Sequence, residues 1–137
     1  MKHFLSVMVV VGFVAAPLAC NPFAPDQSVT LAVSNLEAAH ANVPGTPATV
    51  VLSVVVNGCE RFDRISQMVV NSDVVLAAAG TNAALGRKDI TCLAAYTTEI
   101  HSVVIEEPPT PPFNVVVVQP RGAQPLRAEV LLGVAMD

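Results

Sequence analysis

Residues Ala48–Asn57 read ATVVLSVVVN, a run that is apolar or β-branched almost throughout and is closed by Gly58-Cys59. Branching at Cβ suits a pleated, extended backbone, and this length matches a strand better than a helix. The absence of alternation predicts a central strand buried on both faces. Working outward, the apolar period is two residues in most segments. In Ser28–Ser34, Val29, Leu31 and Val33 share one face, while Ser28, Thr30 and Ser34 share the other, which is the pattern of a half-buried strand. Leu36–Ala41 has fair helix propensity but stops before Pro44-Gly45, leaving room for a single turn. Further strands are predicted at Ile65–Asn71, Asp73–Ala79, Ile90–Tyr96, Glu99–Ile105, Phe113–Gln119 and Leu126–Val134, separated by Asn, Gly and Pro breakers. About eight short strands without a long amphipathic helix predict an all-β fold, an antiparallel sandwich whose two sheets bury facing sides.

Registers follow from the same alternation. Phe113, Val115 and Val117 form the inward set of their strand, although Val116 and Val118 are equally apolar and suggest cover on both faces. In the last strand Leu126, Ala128, Val130 and Leu132 are expected inside, with Arg127 and Glu129 in water. If Cys92 points inward, Ile90, Ala94 and Tyr96 lie on its face.

The chain has 137 residues, 53% hydrophobic and 13% charged, which fits one folded domain and is too apolar for a disordered chain. With a formal charge of −4 and scattered cations, it has no basic patch to displace counterions from a phosphate backbone, so nucleic acid is not an expected partner.

The N-terminus carries an address. Lys2-His3 precedes an apolar run from Phe4 to Ala16, which is too short for a membrane span of about 20 residues and has the form of a secretory signal. It ends at Pro17-Leu18-Ala19-Cys20. Leu18-Ala19-Cys20 resembles a bacterial lipoprotein lipobox, although Pro17 stands where that pattern usually has an aliphatic residue. The resemblance implies a signal peptide over residues 1–19, acylation of Cys20 and attachment to a membrane; the plainer reading is a cleaved signal with Cys20 near the new N-terminus. Residues 20–27, punctuated by Pro22 and Pro25, then form a tether, and residues 28–137 form the sandwich domain.

Three cysteines in an exported protein leave one over unless something consumes it, and an acyl chain on Cys20 does so. Cys59 and Cys92 are then available to pair in an oxidising compartment. Two buried free thiols and a metal site are the alternatives; the second is disfavoured because neither cysteine has a partner at ligand spacing.

Gly58-Cys59, Phe62-Asp63-Arg64-Ile65, Ile90-Thr91-Cys92 and Phe113-Asn114-Val115 together resemble a group of small exported bacterial proteins with immunoglobulin-like domains. The resemblance spans Val50 to Gln119 and implies a disulfide-stapled sandwich, often in a lipoprotein and without catalytic content. The proline-rich turn before Phe113 departs from it, since a glycine is expected there.

Residues arranged for chemistry are few. His101 lies on a predicted strand with Glu99 and Val103 on its face, whereas the adjacent Ser102 points the other way and cannot pair with it as a nucleophile. His40 lies in a loop before Pro44. There is no Gly-x-Ser-x-Gly turn, HExxH motif or phosphate loop, and Glu106-Glu107 lack the spacing of a calcium loop, so no cofactor or metal is expected. The run Pro108–Pro112 reads as a stiff connection and Arg87-Lys88-Asp89 as a hydrophilic hairpin tip. Glu60, Arg61, Asp63 and Arg64 form the densest charge cluster, expected as a corner with Phe62 plugging the core, or as a recognition loop. The expected function is a non-catalytic binding or scaffold module of the bacterial cell envelope, in the outer membrane or periplasm, with an envelope protein as partner. A secreted protease-inhibitor-like module using the Glu60–Arg64 loop and a small hydrolase using His101 are the rivals.

Overall fold

The computed structural model describes residues 26–134; the leader, Cys20 and most of the tether lie outside the described residues. The described chain is all β, with nine strands: β1 Gln27–Thr30, β2 Ala32–Ala38, β3 Ala41–Asn42, β4 Ala48–Asn57, β5 Glu60–Val70, β6 Asp73–Asn82, β7 Tyr96–Ile105, β8 Phe113–Val118 and β9 Leu126–Leu132. They form two sheets. In the smaller, β4 lies between β2 and β7. In the larger, β6 pairs with β5 along one edge and, on the other, with β8 over Val74–Ala77 and with β1 over Ala79–Asn82. From β8 the sheet continues through β9 to β3. Leu31, Val33, Val50, Leu52 and Val54 from one side meet Val74, Leu76, Ala78, Val115, Val117 and Val130 from the other in a single buried cluster.

Several local reasons for this layout are visible in the sequence. Asn71 and Ser72 both take positive φ (49° and 69°), the two-residue primed turn that closes β5 onto β6 with the native twist. Asp73 accepts from both the backbone N–H and the side-chain amide of Asn114 at 3.2 and 3.1 Å, pinning the start of the parallel β6–β8 pair. Gly80 sits opposite Phe62 on one side and Val29 on the other. A methyl there would collide with the Arg61 carbonyl and lie 2.7 Å from Leu31 Cδ1, so only glycine lets three strands and the core meet at that point.

The structure corrects the expected layout in specific ways. Ser28–Ser34 is not one strand: the chain changes sheets at Leu31, whose N–H still donates to Ala78 O at 2.8 Å while Ala32 already belongs to β2. Val29, Leu31 and Val33 nonetheless all turn toward the core, as expected. Leu36–Ala41 is not a helical turn, because β2 runs to Ala38 on the edge of β4 and β3 begins at Ala41. β4 is central but buried on one face only: Ala48, Val50, Leu52, Val54 and Val56 are buried, while Val51, Ser53 and Val55 are half-buried on the outside. The larger sheet is mixed rather than antiparallel, since its β6–β8 and β3–β9 pairs are parallel, whereas the smaller sheet is antiparallel as expected. Ile90–Ala95 is irregular, and the following strand starts at Tyr96. Arg87–Asp89 belongs to that same crossing between sheets and is no hairpin tip. Phe113, Val115, Val117 and Val130 are inside and Arg127 and Glu129 outside, as expected, but Leu132 is 61% exposed because β9 has passed the end of the core. Val116 is also buried, whereas Val118 is exposed.

Gln119 ties the two sheets where β2 is irregular. The β2–β4 register slips between Val33 and Asn35. There the Gln119 amide accepts from Val33 N–H at 3.1 Å and donates to Val33 C=O at 2.8 Å, in place of a neighbouring strand. Gln119→Ala is expected to cost about 1–3 kcal/mol, since two part-buried backbone groups lose their partner. Gln119→Glu is expected to cost at least as much, because a carboxylate offers Val33 C=O no donor. Urea unfolding of the two variants checks both.

Candidate functional site

Among the described residues, β5 and β7 are the outermost strands of their sheets on the same flank of the molecule, and the sandwich is open between them. One end of this flank is closed covalently. Cys59 and Cys92 form a disulfide with a Cα–Cα distance of 5.2 Å, joining the β4–β5 turn to the crossing between β6 and β7. The turn is prepared for this: Asn57 Oδ1 accepts Cys59 N–H at 2.9 Å, Glu60 accepts Asn57 N–H at 3.1 Å, and Cys59 C=O accepts Ala83 N–H at 3.0 Å. A methyl on Gly58 would lie 2.8 Å from Leu93 Cβ and 3.0 Å from its backbone N and O, so glycine lets the crossing lie directly on the turn. Cys92 is therefore held by the turn and not by a sheet.

Glu60–Arg64 is not a loop. It opens β5, and the corner itself is only Gly58-Cys59. A register shift between Phe62 and Arg64 leaves Asp63 as the extra residue, and Arg64 donates to Asp63 at 2.8 Å on the exposed surface. Arg61 and Arg64 stand opposite Thr81 and Ala79, on the outer face of the sheet. Phe62 turns inward against the core, as its expected plugging role requires, and its ring stacks on His101 with centroids 3.8 Å apart and planes at 24°.

His101 stands on the inner face of β7 opposite Leu52, and Glu99 lies two residues earlier on the same face. The ring Nε2 and Glu99 Oε2 are 3.1 Å apart. Ser102 is exposed and belongs to the other face, so the imidazole has an orienting carboxylate but no hydroxyl from its neighbour. His40 lies at the far edge, where its carbonyl accepts Leu131 N–H at 3.0 Å. Arg87 and Asp89 are 3.1 Å apart, and the Arg87 hydrogen bond holds the Asp89 carboxyl below the usual carboxylate range. Among the described residues no three His, Cys, Asp or Glu side chains gather as a metal site would need.

Beyond Phe62 the flank opens into a groove of about 340 Å³, lined by Gln67, Met68, Val69, Val74, Ile105 and the two carboxylates Glu106 and Glu107. It exists because β5 and β6 extend past the point where β7 ends at Ile105. Val69 stands opposite buried Val74 on the inner side of the sheet yet is 57% exposed, since nothing in the smaller sheet reaches it. Nothing in the sequence pattern joined Gln67–Val69 to Glu106-Glu107. The available signal was the unbroken apolar run Met68-Val69-Val70 beside a turn, with no charge to guard it. Comparison with family models, with curated proteins and with solved structures finds no match.

Proposed function

We propose that the protein is an exported, non-catalytic binding or scaffold module of the bacterial cell envelope, anchored through an acylated Cys20. The observation that carries this reading is the Cys59–Cys92 bridge. It fits an oxidising compartment, and it leaves Cys20, at the end of an apolar leader, as the cysteine free for a lipid. The two-sheet core supports an immunoglobulin-like sandwich, in a variant whose disulfide staples one end of the body instead of crossing its middle. Loops and edges on a rigid, stapled scaffold are where such a body binds partners. Detergent phase separation of cell envelopes tests the anchor. The wild-type chain is expected in the detergent phase and Cys20→Ser in the aqueous phase; an aqueous wild type contradicts acylation.

The Glu99–His101 pair is the one observation favouring a second, hydrolytic reading, because a carboxylate orients the imidazole as in a general base. The binding-module reading expects no turnover of p-nitrophenyl acetate above background by either wild type or His101→Ala. Turnover by the wild type that His101→Ala abolishes establishes the hydrolase instead.

A further inference from the structure

We propose that the C-terminal half of β5 and the adjoining groove receive an extended peptide segment that adds a strand to the larger sheet and sets a cationic side chain against Glu106 and Glu107. This deepens the binding-module reading and rests on it for the existence of a partner, but not on the lipid anchor.

The edge comes first. Among the described residues β5 pairs only with β6, so its other edge carries main-chain groups to which no described strand pairs. The two-residue turn at Asn71-Ser72 makes Val70↔Asp73 a hydrogen-bonded pair, and pairs alternate from there along the ladder. Val69, Gln67 and Ile65 therefore direct their N–H and C=O groups away from β6. Proteins blunt such edges with charges and bulges. β5 does so in its first half, where Arg61, Asp63, Arg64 and the register shift stand, and not in its second, where Ser66–Val70 is regular, uncharged and exposed.

The groove supplies side-chain recognition. A strand added beyond β5 places every second side chain on the inner side, beside Gln67 and Val69 and over Ile105, where the walls are largely apolar. Glu106 and Glu107 close its rim, both exposed, and among the described residues neither forms an ion pair. The complement is an aliphatic side chain followed by Lys or Arg. A second copy of this chain fits less well: the cations of its own β5, Arg61 and Arg64, stand on the outer face, away from the carboxylates, and each copy carries a net negative charge.

The test uses the full-length protein in detergent and a fluorescein-labelled heptapeptide of alternating valine and threonine with lysine at both ends. Saturable binding is expected by anisotropy. The same peptide with glutamate for lysine is expected to bind at least about tenfold more weakly. Val69→Pro removes an outward N–H without touching the β5–β6 ladder, so it is expected to fold and to weaken binding about tenfold. Glu106→Gln/Glu107→Gln, a surface change, is expected to weaken binding about three- to tenfold and to flatten its salt dependence. Lack of binding by the lysine peptide, equal binding of the glutamate peptide, or unchanged affinity in both variants overturns the proposal. So does a stable dimer in sedimentation that Val69→Pro dissolves, which assigns the edge to a second copy. Failure here leaves membrane partition of the wild type untouched, so the two readings fail separately.

Discussion

Replacing Cys59 and Cys92 together by serine is expected to destabilise the domain by about 3.5–4 kcal/mol, the chain-entropy value for a closed loop of this size. The bridged residues are 33 apart in sequence, and the loop they close contains all of β5 and β6. Without the bond, the unfolded chain regains that freedom while the native sheets lose no ladder pairing. Among the described residues the crossing at Ile90–Ala95 has no strand partner, so the bridge and its packing on Gly58 are what hold it down. The melting temperature is expected to fall by roughly 15 °C or more for a domain of this size. Scanning calorimetry of the double variant beside the wild type, the latter with and without reductant, gives the measurement. A fall of only one or two degrees shows that the unfolded or native state does not depend on the bridge in this way.

Leu52→Ala is expected to cost about 2–5 kcal/mol, because Leu52 is fully buried at the centre of the smaller sheet and its loss leaves a cavity that the flanking strands cannot close. Val55→Ala, three residues on in the same strand, is expected to cost less than about 1.5 kcal/mol, since Val55 lies half-buried on the outer face. The contrast is sharper than either number. A strand covered on both faces, as the uninterrupted valine run suggested, demands that Val55→Ala also carry a core-sized cost; a strand covered on one face demands that it cost clearly less than Leu52→Ala. Urea denaturation of both variants decides between these.

That contrast also shows what was legible beforehand. The inward sets Val29–Leu31–Val33 and Phe113–Val115–Val117 could be read from alternation, because the core selects one face of each strand. The change of sheet at Leu31 could not, because the inward alternation continues unbroken across it. Val51 and Val55 are as apolar as Val50 and Val54, so hydrophobicity alone did not reveal that no described residues form a third layer over the smaller sheet. Ile90–Tyr96 has strand-like composition, yet the disulfide and Gly58 place its backbone against a turn, a constraint set by tertiary contact.

At the open flank, the face shared by Glu99 and His101 was legible from period two, and the pair is now seen at hydrogen-bond distance. The corner expected at Glu60–Arg64 was misplaced by the extent of the β5–β6 hairpin, whose pairing carries β5 back to Glu60. The groove was not legible, since it arises from β5 and β6 outrunning β7.

Intact mass of the protein taken from cell envelopes, alkylated before and after reduction, tests both the sulfur–sulfur clamp on the two-sheet body and its proposed place outside the cytosol. The expected result is a chain beginning at Cys20 with added acyl mass, no alkylation of the native protein, and alkylation at both Cys59 and Cys92 only after reduction. Alkylation of both cysteines in the unreduced, folded protein contradicts it.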